Sequence, residues 1–208
     1  DIDYSLVHTG QHYDKKMSGD FFEQLNIPEP DANLSAGGGT QAEQTGTIMM
    51  RFEDYLVNNP TDLVLVVGDV TSTMACAITA QKLHVKVAHV EAGIRSNDWT
   101  MPEEINRLVT DAITNYFFTT SEVANKTLRA SGYGDDQIFF VGNCMIDSLA
   151  THLDKAIQLK PWQDFDLKVD NYCLITMHRP SNVDNDKSLK NIISMLNNIS
   201  KKIPVIFP

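Results

Sequence analysis

Short apolar runs alternate along the chain with longer stretches of helical period. Runs at residues 4–9, 63–67, 85–90, 116–119, 138–141, 172–177 and 205–207 predict strands. Residues 14–25, 41–57, 72–83, 102–115, 122–131, 145–157 and 187–201 predict the helices between them. In the fourth of these, Ile105, Leu108, Val109, Ala112, Ile113 and Tyr116 follow the i, i+3, i+4 spacing of an apolar stripe. The strands are continuous in apolar residues rather than alternating. Such strands, separated by helices, predict an α/β fold with a Rossmann-like parallel sheet covered by helices on both faces.

The pattern breaks at residues 159–171, which hold Pro161, Trp162 and several acids and follow neither period. That stretch reads as a linker. Residues 1–158 then form one Rossmann-like domain, and residues 172–208 begin a second. The chain opens almost inside a strand and stops just after one, which predicts a piece of a longer protein. Gly37-Gly38-Gly39 precedes a helix but lacks the G-x-G-x-x-G arrangement, so it is a weak sign of phosphate binding.

Composition narrows the partners. The 208 residues carry a formal net charge of -10, which argues against a nucleic-acid backbone as ligand. No apolar run reaches the ~18 residues of a membrane span. No basic-then-apolar leader opens the chain, and a cytoplasmic location is expected. Cys76, Cys144 and Cys173 are odd in number and lack metal-ligand spacing. They read as buried, reduced thiols, with no metal site.

The richest chemistry lies between Val87 and Arg107. An apolar strand ends at Glu91, Gly93 permits a bend, and Pro102 opens a helix. One strand end and one helix start thus gather Glu91, Arg95, Glu103 and Arg107 around a loop. A plainer account exists for part of this. Thr100 and Glu103 have the T-x-x-E spacing of a capping box, and Glu103 and Arg107 that of a surface helix pair. Three further polar clusters close predicted strands: Thr9-Gly10-Gln11-His12, Gly68-Asp69 and His178-Arg179-Pro180-Ser181-Asn182. Taken singly, Asp69 reads equally as a helix cap, His12 as a loop histidine and His178-Arg179 as a solvated pair. A parallel sheet brings its strand ends to one edge, where ligands bind, and that favours the clusters. His8, His84, His89 and His152 lack such placement and read as structural.

Six motifs then occur in order: T-G-Q-H-Y (9–13), G-D-V-T-S-T (68–73), H-V-E-A-G-I-R (89–95), M-P-E-E-I-N-R (101–107), F-V-G-N-x-M-I-D (140–147) and T-x-H-R-P-S-N-V-D (176–184). With them the chain resembles the non-hydrolysing UDP-N-acetylglucosamine 2-epimerases, bacterial and archaeal enzymes of GT-B architecture. The resemblance implies inversion at carbon 2 of UDP-N-acetylglucosamine, by loss and readdition of UDP through 2-acetamidoglucal, with no cofactor. The product would be UDP-N-acetylmannosamine, a precursor of surface polysaccharide. It implies Asp69, Glu91, Glu103 and His178 as catalytic residues, and Arg95, Arg107, Arg179 and Asn182 as substrate-binding residues. Gln11 and His12 match a loop that holds a second, activating UDP-N-acetylglucosamine. A homodimer is implied too.

Two departures accompany the match. The family's opening strand with its G-T-R-P-E loop is not in these residues, nor is most of the uridine-binding domain. A sheet without that central strand would have two unpaired edges, and the 208 residues alone are expected to be catalytically silent. In addition, Pro180 and Ser181 stand where some members continue H-R-R-E. Two rivals share parts of the pattern: a GT-B glycosyltransferase, which needs an acceptor, and a non-catalytic nucleotide-sugar sensor.

Overall fold

A computed structural model of the chain describes residues 2–10, 25, 27–177, 182 and 184–207. By packing the chain divides into two units, Asp1–Met145 and Ile146–Pro208.

In the first unit, β1 (Val7–His8) pairs in parallel with β2 (Ala32–Asn33). A second parallel sheet runs in the order β3 (Leu63–Val67), β4 (Lys86–Val90), β5 (Tyr116–Thr119) and β6 (Ile138–Phe140). Helix α1 (Gln41–Asn58) leads into β3, and α2 (Thr71–Lys82), α3 (Pro102–Ala112) and α4 (Glu122–Ala130) provide the crossovers of the second sheet. The helix at residues 14–25 predicted from the sequence lies almost wholly outside the described residues. The two-residue strand β2 was not predicted, being too short to show a period.

The main core joins Ile48, Phe52 and Leu56 of α1 and Ala75, Ala77 and Ala80 of α2 to Val64 and Val66 of β3 and Val87 of β4. Phe117 of β5 and Leu128 of α4 make a smaller cluster with Ala92. The covering of β3 departs from the doubly buried strand expected. Its residues alternate, with Val64 and Val66 buried and Leu63, Leu65 and Val67 exposed. Among the described residues its second face is uncovered. Strands β1 and β3 do not pair; a groove of about 300 Å³ lies there, lined by Val7, Thr9, Val66, Val67 and Cys76.

In the second unit, β7 (Cys173–Leu174) pairs in parallel with β8 (Val205–Ile206), and α6 (Asp186–Ser200) lies between them in sequence. Helix α5 (Cys144–Leu159) begins two residues before the division between units. The stretch read as a linker, residues 159–171, carries a 3-10 helix, Pro161–Phe165.

Candidate active site

Register sets the first contacts. Val67 is paired with Val90, so the residues that follow them, Gly68 and Glu91, leave the sheet side by side. The Gly68 amide donates to the Val90 carbonyl at 3.0 Å. Glu91 has a φ of 70°, a left-handed conformation costly for any residue with a Cβ. Both its amide and that of Ala92 donate to the Phe118 carbonyl, at 3.0 and 3.2 Å, which holds the bend. A Cβ on Gly68 would stand 3.8 Å from Oε2 of Glu91, so the carboxylate lies over that glycine. The Glu91 side chain is half-buried and makes no hydrogen bond or ion pair among the described residues. Strain concentrated at such a residue is a common property of functional sites.

Helix α3 supplies the other wall. Its fully buried residues are all polar: Glu104, Asn106, Thr110 and Asp111. The apolar stripe read from the sequence is not its buried face; Ile105 is 44% exposed and Leu108 and Val109 are half-buried. Ile105 instead lines a mostly apolar hollow of about 630 Å³ with Met49, Met74 and Trp99. Glu104, Asn106 and Asp111 are buried because they carry hydrogen bonds that backbone leaving a sheet would otherwise lack, whereas the buried Thr110 hydroxyl has no partner among the described residues. Asn106 donates to the Asp69 carbonyl at 2.8 Å, and Arg107 forms an ion pair with the Asp69 carboxylate. Arg107 also reaches Glu104 at 3.1 Å.

Glu104 is 2% exposed and accepts from the Ser96 amide and hydroxyl, both at 2.8 Å, and from the Asn97 amide at 3.2 Å. Burial pushes its carboxyl up, but the bonds from Ser96, Asn97 and Arg107 outweigh that and hold it at about 2. Two turns later Asp111, 1% exposed, accepts from His89 Nδ1 at 2.7 Å, the Gly93 amide at 3.1 Å and Arg95 at 2.6 Å. The other ring nitrogen of His89 faces the Gly68 carbonyl at 2.8 Å. His89, read as structural, is thus a fully buried brace between the ends of β3 and β4.

The capping account of Glu103 is not realised. The N-cap of α3 is Met101, which has no side-chain cap, and Thr100 is bonded to Asp98 instead. Glu103 is half-buried and, like Glu91, makes no hydrogen bond or ion pair among the described residues. It lies one helical turn before Arg107. So the structure brings Asp69, Glu91 and Arg107 together, with Arg95 on the adjoining loop and Glu103 elsewhere, in the first turn of α3. Asn182 is half-buried in the second unit. Gln11, His12, His178 and Arg179 lie outside the described residues. Of the thiols expected to be buried, only Cys76 is; Cys173 is half-buried and Cys144 exposed, on a helix that has no buried residue. Among the described residues no cluster of three or more acid, histidine or cysteine side chains is placed to hold a metal ion. Sequence reasoning overlooked Glu104, Asn106 and Asp111. The seven-residue spacing of the two acids, which sets them on one helix face, was the available signal.

Parallel α/β crossovers with a group of carboxylates and arginines at the strand ends define an α/β protein with a candidate ligand crevice at that edge of the sheet. The chain belongs to the UDP-N-acetylglucosamine 2-epimerase family, whose defining sequence pattern matches residues 1–208. It is 44% identical over 195 residues to a UDP-N-acetylglucosamine 2-epimerase of Methanocaldococcus jannaschii, spanning 92% of this chain and 53% of that one. It is 41% identical over 206 residues to the UDP-2,3-diacetamido-2,3-dideoxy-D-glucuronate 2-epimerase of Pseudomonas aeruginosa, covering 98% and 57% of the two chains. The crystal structure of the Methanocaldococcus jannaschii UDP-GlcNAc 2-epimerase in complex with UDP-GlcNAc and UDP superposes with a TM-score of 0.89 at 42% identity. It covers 100% of this chain and 58% of that one. The chain therefore spans a little over half the length of its relatives. Its fold is that of the GT-B epimerases over the matched part.

Proposed function

We propose that the protein epimerises carbon 2 of UDP-N-acetylglucosamine, giving UDP-N-acetylmannosamine. In the first step a carboxylate removes the proton on carbon 2. The freed electron pair forms the carbon 1–carbon 2 double bond, and the bond from carbon 1 to oxygen breaks, its pair leaving with UDP. Protonation of the opposite face and return of UDP complete the inversion. Proton transfer on two faces calls for more than one acid–base group. Asp69, Glu91 and Glu103 fill that role in this reading, together with His178. Arg95, Arg107, Arg179 and Asn182 hold the diphosphate and sugar, whose departing charge cations stabilise. The observation that carries the reading is the half-buried Glu91 carboxylate, which has no partner among the described residues and lies over Gly68, next to the Asp69–Arg107 ion pair. A partly shielded carboxylate with no protein partner at a strand end is free to act on a bound ligand.

The assembly in this reading is a cytoplasmic homodimer. Gln11 and His12 take a second UDP-N-acetylglucosamine, which would make the kinetics sigmoidal. The test is incubation of the complete protein with UDP-N-acetylglucosamine alone in heavy water. UDP-N-acetylmannosamine carrying deuterium at carbon 2 is expected. Turnover only with an acceptor would identify a glycosyltransferase, and tight binding without exchange a sensor. The diacetamido-glucuronate nucleotide named for the Pseudomonas aeruginosa relative is the substrate to run in parallel.

A further inference from the structure

We propose that Glu104 and Asp111 are paired positioning residues, two buried carboxylates on one face of α3 that pin the loop after β4 and thereby set Asp69, Glu91 and Arg95 in place. The inference rests on the epimerase reading and deepens it. Ala92 and Gly93 are buried against β5 and α4, but the outer part of the loop has little packing of its own: Ile94, Ser96 and Asn97 are exposed. It is held instead from beneath. Glu104 takes the Ser96 and Asn97 amides, and Asp111 takes the Gly93 amide, so the two ends of the loop are fixed by two carboxylates of one rigid helix. Each carboxylate also engages one arginine.

Glu104 orients Arg107, whose second nitrogen lies on Asp69. Asp111 holds Arg95 and, through His89, the Gly68 carbonyl beside Asp69. With Asn106 on the Asp69 carbonyl, both the main chain and the side chain of Asp69 are placed by α3. At 2% and 1% exposure, neither carboxylate is open to a substrate. Their effect on the reaction therefore runs through the groups they hold. The adjacent acids of the P-E-E-I-N-R motif then have separate tasks: Glu103 is half-buried without a partner among the described residues, while Glu104 is spent on geometry.

The test uses the complete protein with UDP-N-acetylglucosamine. Displacement of reacting groups by about 1 Å costs ~10²-fold in rate, so Glu104→Gln is expected to lower kcat by roughly 10- to 100-fold while KM changes little. Arg107→Met should lower kcat as well, and adding Glu104→Gln to it should bring little further loss, because both act on Asp69 through one path. A folded Glu104→Gln protein with normal kcat overturns the proposal, as does strict additivity with Arg107→Met. Should Glu104→Gln not fold, Ser96→Ala removes a single donor from an exposed residue. A lower kcat at unchanged KM is expected there too, and normal kcat overturns the proposal. If the unmutated protein epimerises nothing, the functional reading fails by itself. Hydrogen exchange of the Ser96 and Asn97 amides then decides the pinning: faster exchange in Glu104→Gln supports it, and unchanged protection refutes it.

Discussion

Thr40 and Glu43 have the same spacing as Thr100 and Glu103, and the two pairs behave differently. At the start of α1 the box closes: the Glu43 amide donates to Thr40 Oγ1 at 3.2 Å, and the Thr40 amide to Glu43 Oε2 at 2.8 Å. At α3 it does not, because Pro102 occupies the first helical position and shifts the cap to Met101. Glu103 is left without a structural task. The amides Glu91→Gln and Glu103→Gln should therefore lower turnover by ~10²- to 10⁴-fold, the usual range for acid–base groups, with almost no change in melting temperature. Asp69→Asn should lose turnover and stability together, since it also gives up the ion pair to Arg107. Rate and melting curves on the three variants check this. Near-normal turnover by Glu103→Gln would contract the site to Asp69 and Glu91.

At the scale of elements, the bend between β4 and α3 has a steric requirement at one position. Gly93 has a φ of 78°, and a Cβ there would stand 2.7 Å from the Ala124 carbonyl oxygen and 3.0 Å from Leu128 Cγ. The backbone of the loop lies directly on α4, so neither neighbour can move without shifting a helix. Gly93→Ala should destabilise by more than about 1 kcal/mol, which lowers the melting temperature by at least ~2–4 °C in a domain of this size. Thermal denaturation followed by circular dichroism measures it, and an unchanged midpoint would contradict the packing described. Helix α3 is also where periodicity pointed to the wrong face. An apolar stripe marks the core only when a helix packs on apolar side chains. This helix lies across strand ends, where unpaired amides and carbonyls need bonding partners, so Glu104, Asn106 and Asp111 turn inward instead.

For the whole molecule, Cys76 reports on cohesion. It is buried in the cluster that unites α1, α2 and β3, and burial pushes its thiol up to about 12. A protonated thiol in a closed core is unreactive. Alkylation at neutral pH should label Cys144 quickly and Cys173 more slowly, and reach Cys76 only as the first unit opens. Mass spectrometry of labelled peptides across a denaturant series tests the order. Early labelling of Cys76 would mean that the edge by the groove between β1 and β3 opens by itself.

Sequence by itself determined the α/β class and most of the elements, because continuous strands and amphipathic helices leave a periodic trace that does not depend on distant residues. It also placed Asp69, Glu91, Arg95, Glu103 and Arg107 at the ends of those elements, since local punctuation by glycine and proline marks where strands stop and helices start. Tertiary structure decided how these residues are used. The ion pair of Asp69 with Arg107 spans 38 positions, and the brace of His89 on Asp111 spans 22. Such pairings depend on parallel register and on the seating of one helix over strand ends. No local period encodes them, so the inward turn of Glu104 and Asp111 became visible only when the chain was folded.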